Sequence, residues 1–191
     1  MRTVALLMTA LVLAPVGAAA QQGNEGADVR VQAVMDAAAK AQIPLSLLQS
    51  KINEGRAKGV SMDRIATALE ARLKGLEQAQ TVLSHAGVAS PSEGDLAVTA
   101  DALEVGVSEA ALAQIQNSAH GERRMVATAV LSALVQLGHA PEDALSRVQA
   151  AMEKGPNALA NLRAQTASEL RGRGMRPPGA PGRSGGGGGS D

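Results

Sequence analysis

Apolar residues recur along the middle of the chain at spacings of three and four, which is the period of an α-helix, and no segment alternates like a β-strand. The clearest series repeats every seven residues from Met62 through Leu69 and Leu76 to Leu83. It keeps its phase through Gly75, so we expect one long helix over 61–85, although glycine inside a helix costs about 1 kcal/mol relative to alanine. The pattern predicts an all-α fold, either a helical bundle or a short solenoid.

Shorter apolar stripes predict the other helices. One stripe covers Val31 to Ala38, and another begins just after Pro44, since proline suits the first turn of a helix. Further helices are predicted at 92–104, 108–119, 122–137, 141–153 and 157–171. The stretch from Met125 to Leu137 contains no charged residue, so we expect its helix to be packed on nearly all sides and to be the most buried.

Three joints between these helices share one plan, in which a glycine ends a helix and a Ser or Asn two residues later begins the next. Glycine accommodates the left-handed conformation that closes a helix, and Ser or Asn accepts hydrogen bonds from the free amides of the following helix. The pairs are Gly59 with Ser61, Gly106 with Ser108, and Gly155 with Asn157, and each follows a proline by a similar distance. This regularity predicts about three helical-hairpin repeats, at 44–90, 91–140 and 141–171. The alternative is an Ala-rich helical protein in which such joints recur without a repeat.

The first 20 residues have the features of a signal peptide. Arg2 provides a positive start, a short apolar run follows, and Ala18-Ala19-Ala20 forms a small-residue cleavage site, so we expect the mature chain to begin at Gln21. The alternative, a membrane anchor, is disfavoured because the run is shorter than the ~20 apolar residues that span a bilayer. The sequence therefore predicts a secreted or periplasmic protein with no transmembrane span in its mature chain.

The two ends of the mature chain lack a helical apolar period. Residues 21–27 are polar and rich in Gly, and they are predicted to be a flexible arm. Residues 172–191 combine Gly and Pro with several arginines and are predicted to be a disordered, weakly cationic tail, because they cannot bury enough surface to offset the entropy of ordering. The all-helical domain is then expected at 28–171.

Composition removes several classes of function. The 191 residues include no Phe, Tyr, Trp or Cys, and the net charge is zero. Without cysteine there is no thiolate nucleophile, disulfide or Cys-type zinc site, and without aromatic rings no base can be stacked. A neutral chain also has no overall field that attracts nucleic acid. We expect no nucleic-acid partner and no cofactor.

The histidines offer little catalytic or metal chemistry. His85, His120 and His139 each lie near a glycine at the expected end of a helix, where a histidine can bond the last carbonyls. A zinc site using His139, Glu142 and a second histidine is the alternative, but Pro141 separates the first two and prevents them from sharing one helical face. No catalytic residue and no metal ligand is therefore assigned.

Basic residues gather around the expected start of the helix at Ser61. They are Lys51, Arg56, Lys58 and Arg64, and the free amides of a helix N-terminus add positive potential there. With Ser61 they form a candidate contact for an anion or a partner. The alternative is a solvated basic face, since Glu54 and Asp63 lie among them.

Acidic residues dominate the middle of the chain. No basic residue lies between Lys74 and Arg123, and this segment is expected to form a polar outer face or a partner contact. The acidic residues within it are Glu77, Glu93, Asp95, Asp101, Glu104, Glu109 and Glu122.

The stretch from Lys51 to Leu76 resembles a pattern of uncharacterised exported helical proteins of bacteria. The residues that carry the resemblance are Lys51, Glu54-Gly55, Ala57-Lys58-Gly59-Val60, Arg64-Ile65, Ala68-Leu69 and Leu73. The segment Val98 to Leu112, with Gly106-Val107-Ser108, resembles a second block of the same kind. The resemblance implies an architecture and no activity.

These observations favour a non-enzymatic interaction or scaffold protein of the bacterial envelope, whose partner is an unknown protein or envelope component. The alternative is a binder of small ligands or anions that uses the basic residues of 51–64, and an enzyme ranks third because no nucleophile–base pair or metal set can be assembled. An oligomer is left open.

Overall fold

A computed structural model describes the backbone of residues 18–175 and the side chains from residue 25 onward. This part of the chain forms eight helices and no strand, so the all-α prediction is confirmed. The helices are α1 (Ala18–Lys40), α2 (Leu45–Ala57), α3 (Met62–His85), α4 (Glu93–Glu104), α5 (Glu109–Ser118), α6 (Gly121–Gln136), α7 (Pro141–Lys154) and α8 (Pro156–Gly172). Most of the expected signal peptide lies outside the described residues.

The long helix predicted through Gly75 is present as α3. Its heptad leucines Leu69, Leu76 and Leu83 are fully buried, while Met62 packs against the same core at the helix start. Because the apolar stripe continues on both sides of Gly75, packing outweighs the low helix propensity of that single glycine.

The helices pack in a continuous series in which α1 contacts α3, α3 contacts α4, α4 contacts α6 and α6 contacts α8. The other three helices pack onto this series: α2 on α1 and α3, α5 on α3, α6 and α7, and α7 on α6 and α8. Of the predicted hairpin partners, α2 packs on α3 and α7 packs on α8, whereas α4 and α5 are not among the helix pairs that pack together. The division into units at 44–90, 91–140 and 141–171 stays a prediction, since α4 packs on α3 and α6 as a link between the two ends.

Two large hydrophobic cores lie along this series, and a small third cluster joins Ala133, Leu137 and Leu170. The first is formed by α1, α2 and α3 with Leu96 and Ala100 of α4, and the second by α5 to α8 with Val82 of α3 and Ala102 of α4. Leu103 of α4 packs against both cores. Helix α4 therefore joins the two cores, together with the end of α3, which contributes Val82 to the second core and contacts α5.

Helix α6 lies at the centre of the second core, as its lack of charge between Met125 and Leu137 predicts. It has the largest share of buried residues among the eight described helices, and Leu131 and Leu134 are at most 1% exposed. None of the eight helices has the length and hydrophobicity needed to cross a membrane.

The predicted glycine joints are confirmed at Gly59 and Gly106, where φ is +66° and +92°. At the second joint the amide of Val107 bonds the carbonyl of Ala102 and that of Gly106 bonds the carbonyl of Leu103, which is the Schellman arrangement. Five other helix ends show the same pair of bonds: those at Gln42, Gly59, Gly87, Gly138 and Gly174. Gln42 does so at φ +58°, without the conformational freedom of glycine.

The capping roles assigned to three polar residues had mixed outcomes. The Ser108 side chain accepts a hydrogen bond from the amide of Ala111, as predicted. Ser61 has the extended backbone of an N-cap, but its side chain makes no capping hydrogen bond. The negative charge of Asp63 in the first turn interacts favourably with the helix dipole instead.

The prediction for Asn157 is wrong. Gly155 is the N-cap of α8, and Pro156 begins the helix, so Asn157 already lies inside its first turn. The physical reason is that the fixed φ of proline suits the first helical position, which starts the helix one residue earlier than expected.

The predicted ends of the helical domain are also corrected. Residues 21–27 belong to α1 rather than to a flexible arm, and Ala27 is only 2% exposed, so burial ties this segment to the fold. At the other end α8 runs to Gly172, and Met175 packs against Ala133, Leu137 and Leu170. The rest of the predicted tail, 176–191, lies outside the described residues.

Candidate functional site

The basic residues predicted as a contact site lie around the joint between α2 and α3. Lys51 and Lys58 both pair with Glu54, with Nζ–Oε distances of 3.6 Å and 2.6 Å. Arg56 and Arg64 are exposed on the two helices that meet at the joint. The structure thus gathers two of the lysines around one carboxylate, which reduces the positive charge that they offer to an anion.

Asp63, which follows the N-cap Ser61, is engaged by α1. Arg30 Nη1 lies 2.6 Å from Asp63 Oδ1, and the same guanidinium donates to Thr67 Oγ1 and to both carboxylate oxygens of Glu70. The hydrogen bonds from Arg30 lower the pKa of Glu70, and those bonds in turn raise the pKa of Arg30. This group of side chains bridges α1 and α3 and engages Asp63, while Arg56 and Arg64, like Lys51 and Lys58, are exposed to solvent.

The acidic middle of the chain does not form a continuous outer face, and that expectation is wrong for Asp95. Asp95 on α4 is 6% exposed and forms an ion pair with Arg124 on α6, which is 8% exposed. Arg124 Nε lies 3.0 Å from Oδ1 and Nη2 lies 2.8 Å from Oδ2, so the two planar groups share two parallel hydrogen bonds.

Asp95 is also part of the N-terminal cap of α4. Its amide donates to Ser92 Oγ over 3.1 Å, while its Oδ2 accepts from the Ser92 amide and hydroxyl over 3.0 Å and 2.7 Å. Burial acts to raise the pKa of Asp95, but the hydrogen bonds from Arg124 and Ser92 outweigh it, and the pKa is lower than usual. The carboxylate therefore stays ionised in the interior and its lone pairs are filled by structural partners.

A second acidic residue of this segment is paired with Arg72 of α3. Arg72 Nη1 lies 2.7 Å from Asp101 Oδ1 and 4.0 Å from Glu104 Oε2, and the arginine side chain is only 10% exposed. Two carboxylates on α4 thus hold the neighbouring helices, Asp95 toward α6 and Asp101 toward α3. Glu104, Glu109 and Glu122 remain exposed, as an outer polar face requires.

The histidines are placed partly as predicted. His85 is the last residue of α3, whereas His120 is the N-cap of α6 and so lies at a helix start rather than at an end. His139 follows the glycine that closes α6, and its Nε2 lies 3.1 Å from Arg147 Nη1 of α7. Within residues 18–175 no group of three His, Asp or Glu side chains is arranged to hold a metal ion.

A groove of about 330 Å³ lies beside the joint between α3 and α4. It is lined by Gln80, Ser84 and the loop Gly87 to Ala89 together with Pro91. The Gln80 amide also donates to the Ala41 carbonyl over 3.3 Å, so the end of α1 adjoins the groove. Its lining carries no charged side chain and no nucleophile–base pair, which is not the arrangement of a catalytic centre.

Sequence reasoning missed the buried pair of Asp95 and Arg124, although two local signals were present. Ser92 and Asp95 have the spacing of a capping box, which places Asp95 in the first turn of a helix. Arg124 directly precedes the uncharged run that begins at Met125. Neither signal identifies the other partner, because the two residues meet only when α4 packs on α6.

The chain matches no protein-family model, and no curated protein or solved structure is significantly similar to it.

Proposed function

We propose that this protein is an exported, non-enzymatic scaffold or interaction module of the bacterial envelope. The observation that carries the proposal is the use of its charged side chains between helices. Arg30 joins α1 to α3, Arg72 joins α3 to α4, and Arg124 joins α4 to α6. The two pairs of Arg72 and Arg124 are largely buried and favour one register of the helices, which a rigid presenting surface requires, whereas the exposed pair of Arg30 adds less.

The described surface supports recognition through polar contacts. Among residues 25–175 the exposed large apolar side chains are Val29, which is 70% exposed, and Leu45, which is 38% exposed. They do not amount to the broad apolar patch that is typical of obligate interfaces. We therefore propose that a partner binds through charged and polar groups at the helix joints, in a contact that can be reversed.

The absence of cysteine from the natural sequence makes this proposal accessible to a site-specific test. Single cysteines replacing the exposed residues Ser61, Glu104 and Gln165 can each carry a photo-crosslinker on a different helix or joint. A partner-binding surface would give one discrete adduct from one of the three positions in intact cells. Equal labelling at all three, or no adduct at any, would contradict an interaction role.

The exported location rests on the first 20 residues and has a direct test. N-terminal sequencing of the protein isolated from its natural host is expected to begin at Gln21. Recovery of chains that retain Met1 in the membrane fraction would contradict both cleavage and the proposed location.

Anion binding at the joint of α2 and α3 is a second candidate function. It is favoured by the exposure of Arg56 and Arg64 beside the free amides of α3, whose N-cap side chain makes no capping bond. Inorganic phosphate should then raise the melting temperature by mass action, and the double variant Arg56→Gln/Arg64→Gln should lose that rise. Arg163→Gln, at an exposed site on α8, is the matched control. An equal rise in all three proteins would show that the effect is not located at the joint.

A further inference from the structure

Met125 differs from the other methionines of the described chain in what surrounds its sulfur. Met152 is buried in the second core, Met35 and Met62 pack against the first core, and Met175 packs against Leu137 and Leu170. Met125 is partly exposed, as Met35, Met62 and Met175 are, but it lies at the contact of α6 with the start of α4, where its Sδ is 4.0 Å from Ser92 Oγ.

The fit around this sulfur is tight. A Cβ atom placed on Gly94 would lie 2.7 Å from Met125 Sδ, so the sulfur packs directly against the α4 backbone at this glycine. The residues on either side of that contact belong to the cap and the buried ion pair of α4. Ser92 bonds Asp95, and Asp95 bonds Arg124, which immediately precedes Met125.

We propose that Met125 is a redox modification site whose oxidation loosens the contact between α4 and α6. The chain has no Cys, Trp or Tyr, so its methionine sulfurs are its most readily oxidised groups. Hydrogen peroxide transfers one oxygen atom to Sδ. The O–O bond breaks, the sulfur is oxidised by two electrons to the sulfoxide, and the peroxide is reduced to water.

The added oxygen has two effects at this position. It enlarges a group that already touches Gly94, and it creates a strong hydrogen-bond acceptor near the Ser92 hydroxyl, which now donates to Asp95 over 2.7 Å. Both effects weaken the N-terminal cap of α4 and the packing around the buried ion pair of Asp95 and Arg124. Because α4 packs in both cores, a weaker contact between α4 and α6 lowers the stability of the helical domain as a whole.

The test treats the purified protein with hydrogen peroxide and follows oxidation of each methionine by peptide mass spectrometry. Met125 is expected to be oxidised well before the buried Met152, and the melting temperature is expected to fall by about 2–4 °C. Hydrogen exchange should quicken at the Asp95 amide, which bonds Ser92. Met125→Leu should resist this loss, while Met62→Leu, the matched control, should lose stability as the natural chain does.

A second variant keeps the proposal open to refutation if the leucine variant folds poorly. Met125→Gln introduces a polar group of similar length without oxidant, and it is expected to lower the melting temperature and to quicken exchange at the same amide. The proposal is overturned if Met125 reacts no faster than Met152, or if oxidised Met125→Leu loses as much stability as the oxidised natural chain.

Discussion

Arg124 of α6 and Asp95 of α4 face each other across the interior, joined by two hydrogen bonds of 3.0 Å and 2.8 Å, with both residues less than a tenth exposed. A buried pair of this kind adds little net stability over an apolar pair, but it penalises any packing that separates its members. It lies on the helix that joins the two cores. The pair therefore specifies how α4 sits on α6.

Removing one member of this pair should be costly. Arg124→Met leaves the Asp95 carboxylate without its main partner, and we expect the free energy of unfolding to fall by about 3–5 kcal/mol. Urea unfolding followed by circular dichroism measures this change. Arg163→Met, at an exposed site on α8, is the control and should have little effect. An unchanged unfolding midpoint in Arg124→Met would mean that the pair does not hold α4.

The ion pair of Asp95 with Arg124 predicts that the stability of the fold decreases at acidic pH. The pKa of Asp95 in the folded chain is below its ordinary value of 3.8, so the folded state binds this proton less readily than the unfolded state does. Its contribution to stability is complete above the ordinary pKa and is lost as pH falls through that value toward the lower folded pKa. Melting temperatures measured from about pH 5 to pH 2 should therefore fall less steeply for Asp95→Asn than for the natural chain. Parallel slopes would contradict this assignment.

Replacement by alanine should have opposite effects on stability at two glycines of this fold. Gly106 has φ +92°, where a Cβ is strained, so Gly106→Ala should lower the free energy of unfolding by about 1 kcal/mol or more. Gly75 is inside α3, and a Cβ there would lie 4.0 Å from that of Ala100, an ordinary contact. Gly75→Ala should therefore raise stability by up to about 1 kcal/mol. Thermal melts of both variants test these two predictions. Stabilisation by Gly106→Ala would contradict the role of Gly106 as the end of a helix.

Leu134 should be among the most sensitive positions in the second core. It is 1% exposed on the most buried helix, and the chain has no aromatic side chain to fill the space that a smaller residue would leave. Leu134→Ala is expected to cost about 2–5 kcal/mol. Val29→Ala, at a side chain that is 70% exposed, is the control. Circular dichroism melts are the suitable measurement, because no Trp or Tyr reports by fluorescence, and a harmless Leu134→Ala would refute the central position of α6.

The sequence predicts the helices well because their signals are local. The period of three and four identifies α3 through Gly75, and the positive φ of Gly59 and Gly106 follows from the chemistry of helix ends. Local signals also explain the two wrong predictions, those of the α8 cap and of the N-terminal arm. Helix α8 begins at Pro156, so Asn157 is not its N-cap. The polar composition of 21–27 predicts a flexible arm, although Ala27 is buried in the fold.

The candidate site was less predictable because its contacts are not local. The basic residues at 51–64 are recognisable in the sequence, but the pairing of Arg30 with Asp63 depends on how α1 packs against α3. In the same way the acidic run concealed Asp95, whose partner lies 29 residues away. Charge patterns place residues on helices, and only the packing of the helices decides which charges meet.

The last prediction concerns the end of the described chain, where residues 172–175 are ordered although the sequence predicts that the disordered tail begins at residue 172. Arg173 Nη1 donates to the Leu137 carbonyl over 3.1 Å, and the Met175 amide bonds the Leu170 carbonyl over 2.8 Å while its side chain packs on the end of α6. A chain truncated after Arg171 should therefore be less stable, by about 1–2 kcal/mol, than one truncated after Met175.

Circular dichroism melts of the two truncated chains make this comparison without reference to the residues beyond 175. Met175→Ala in the longer chain should reproduce part of the loss, since it removes the packing on Leu137 and keeps the backbone bond to Leu170. Arg173→Gln should reproduce another part, because it removes the bond to the last turn of α6. If both truncated chains melted at the same temperature, the helical domain would end at Arg171, as its composition alone predicts.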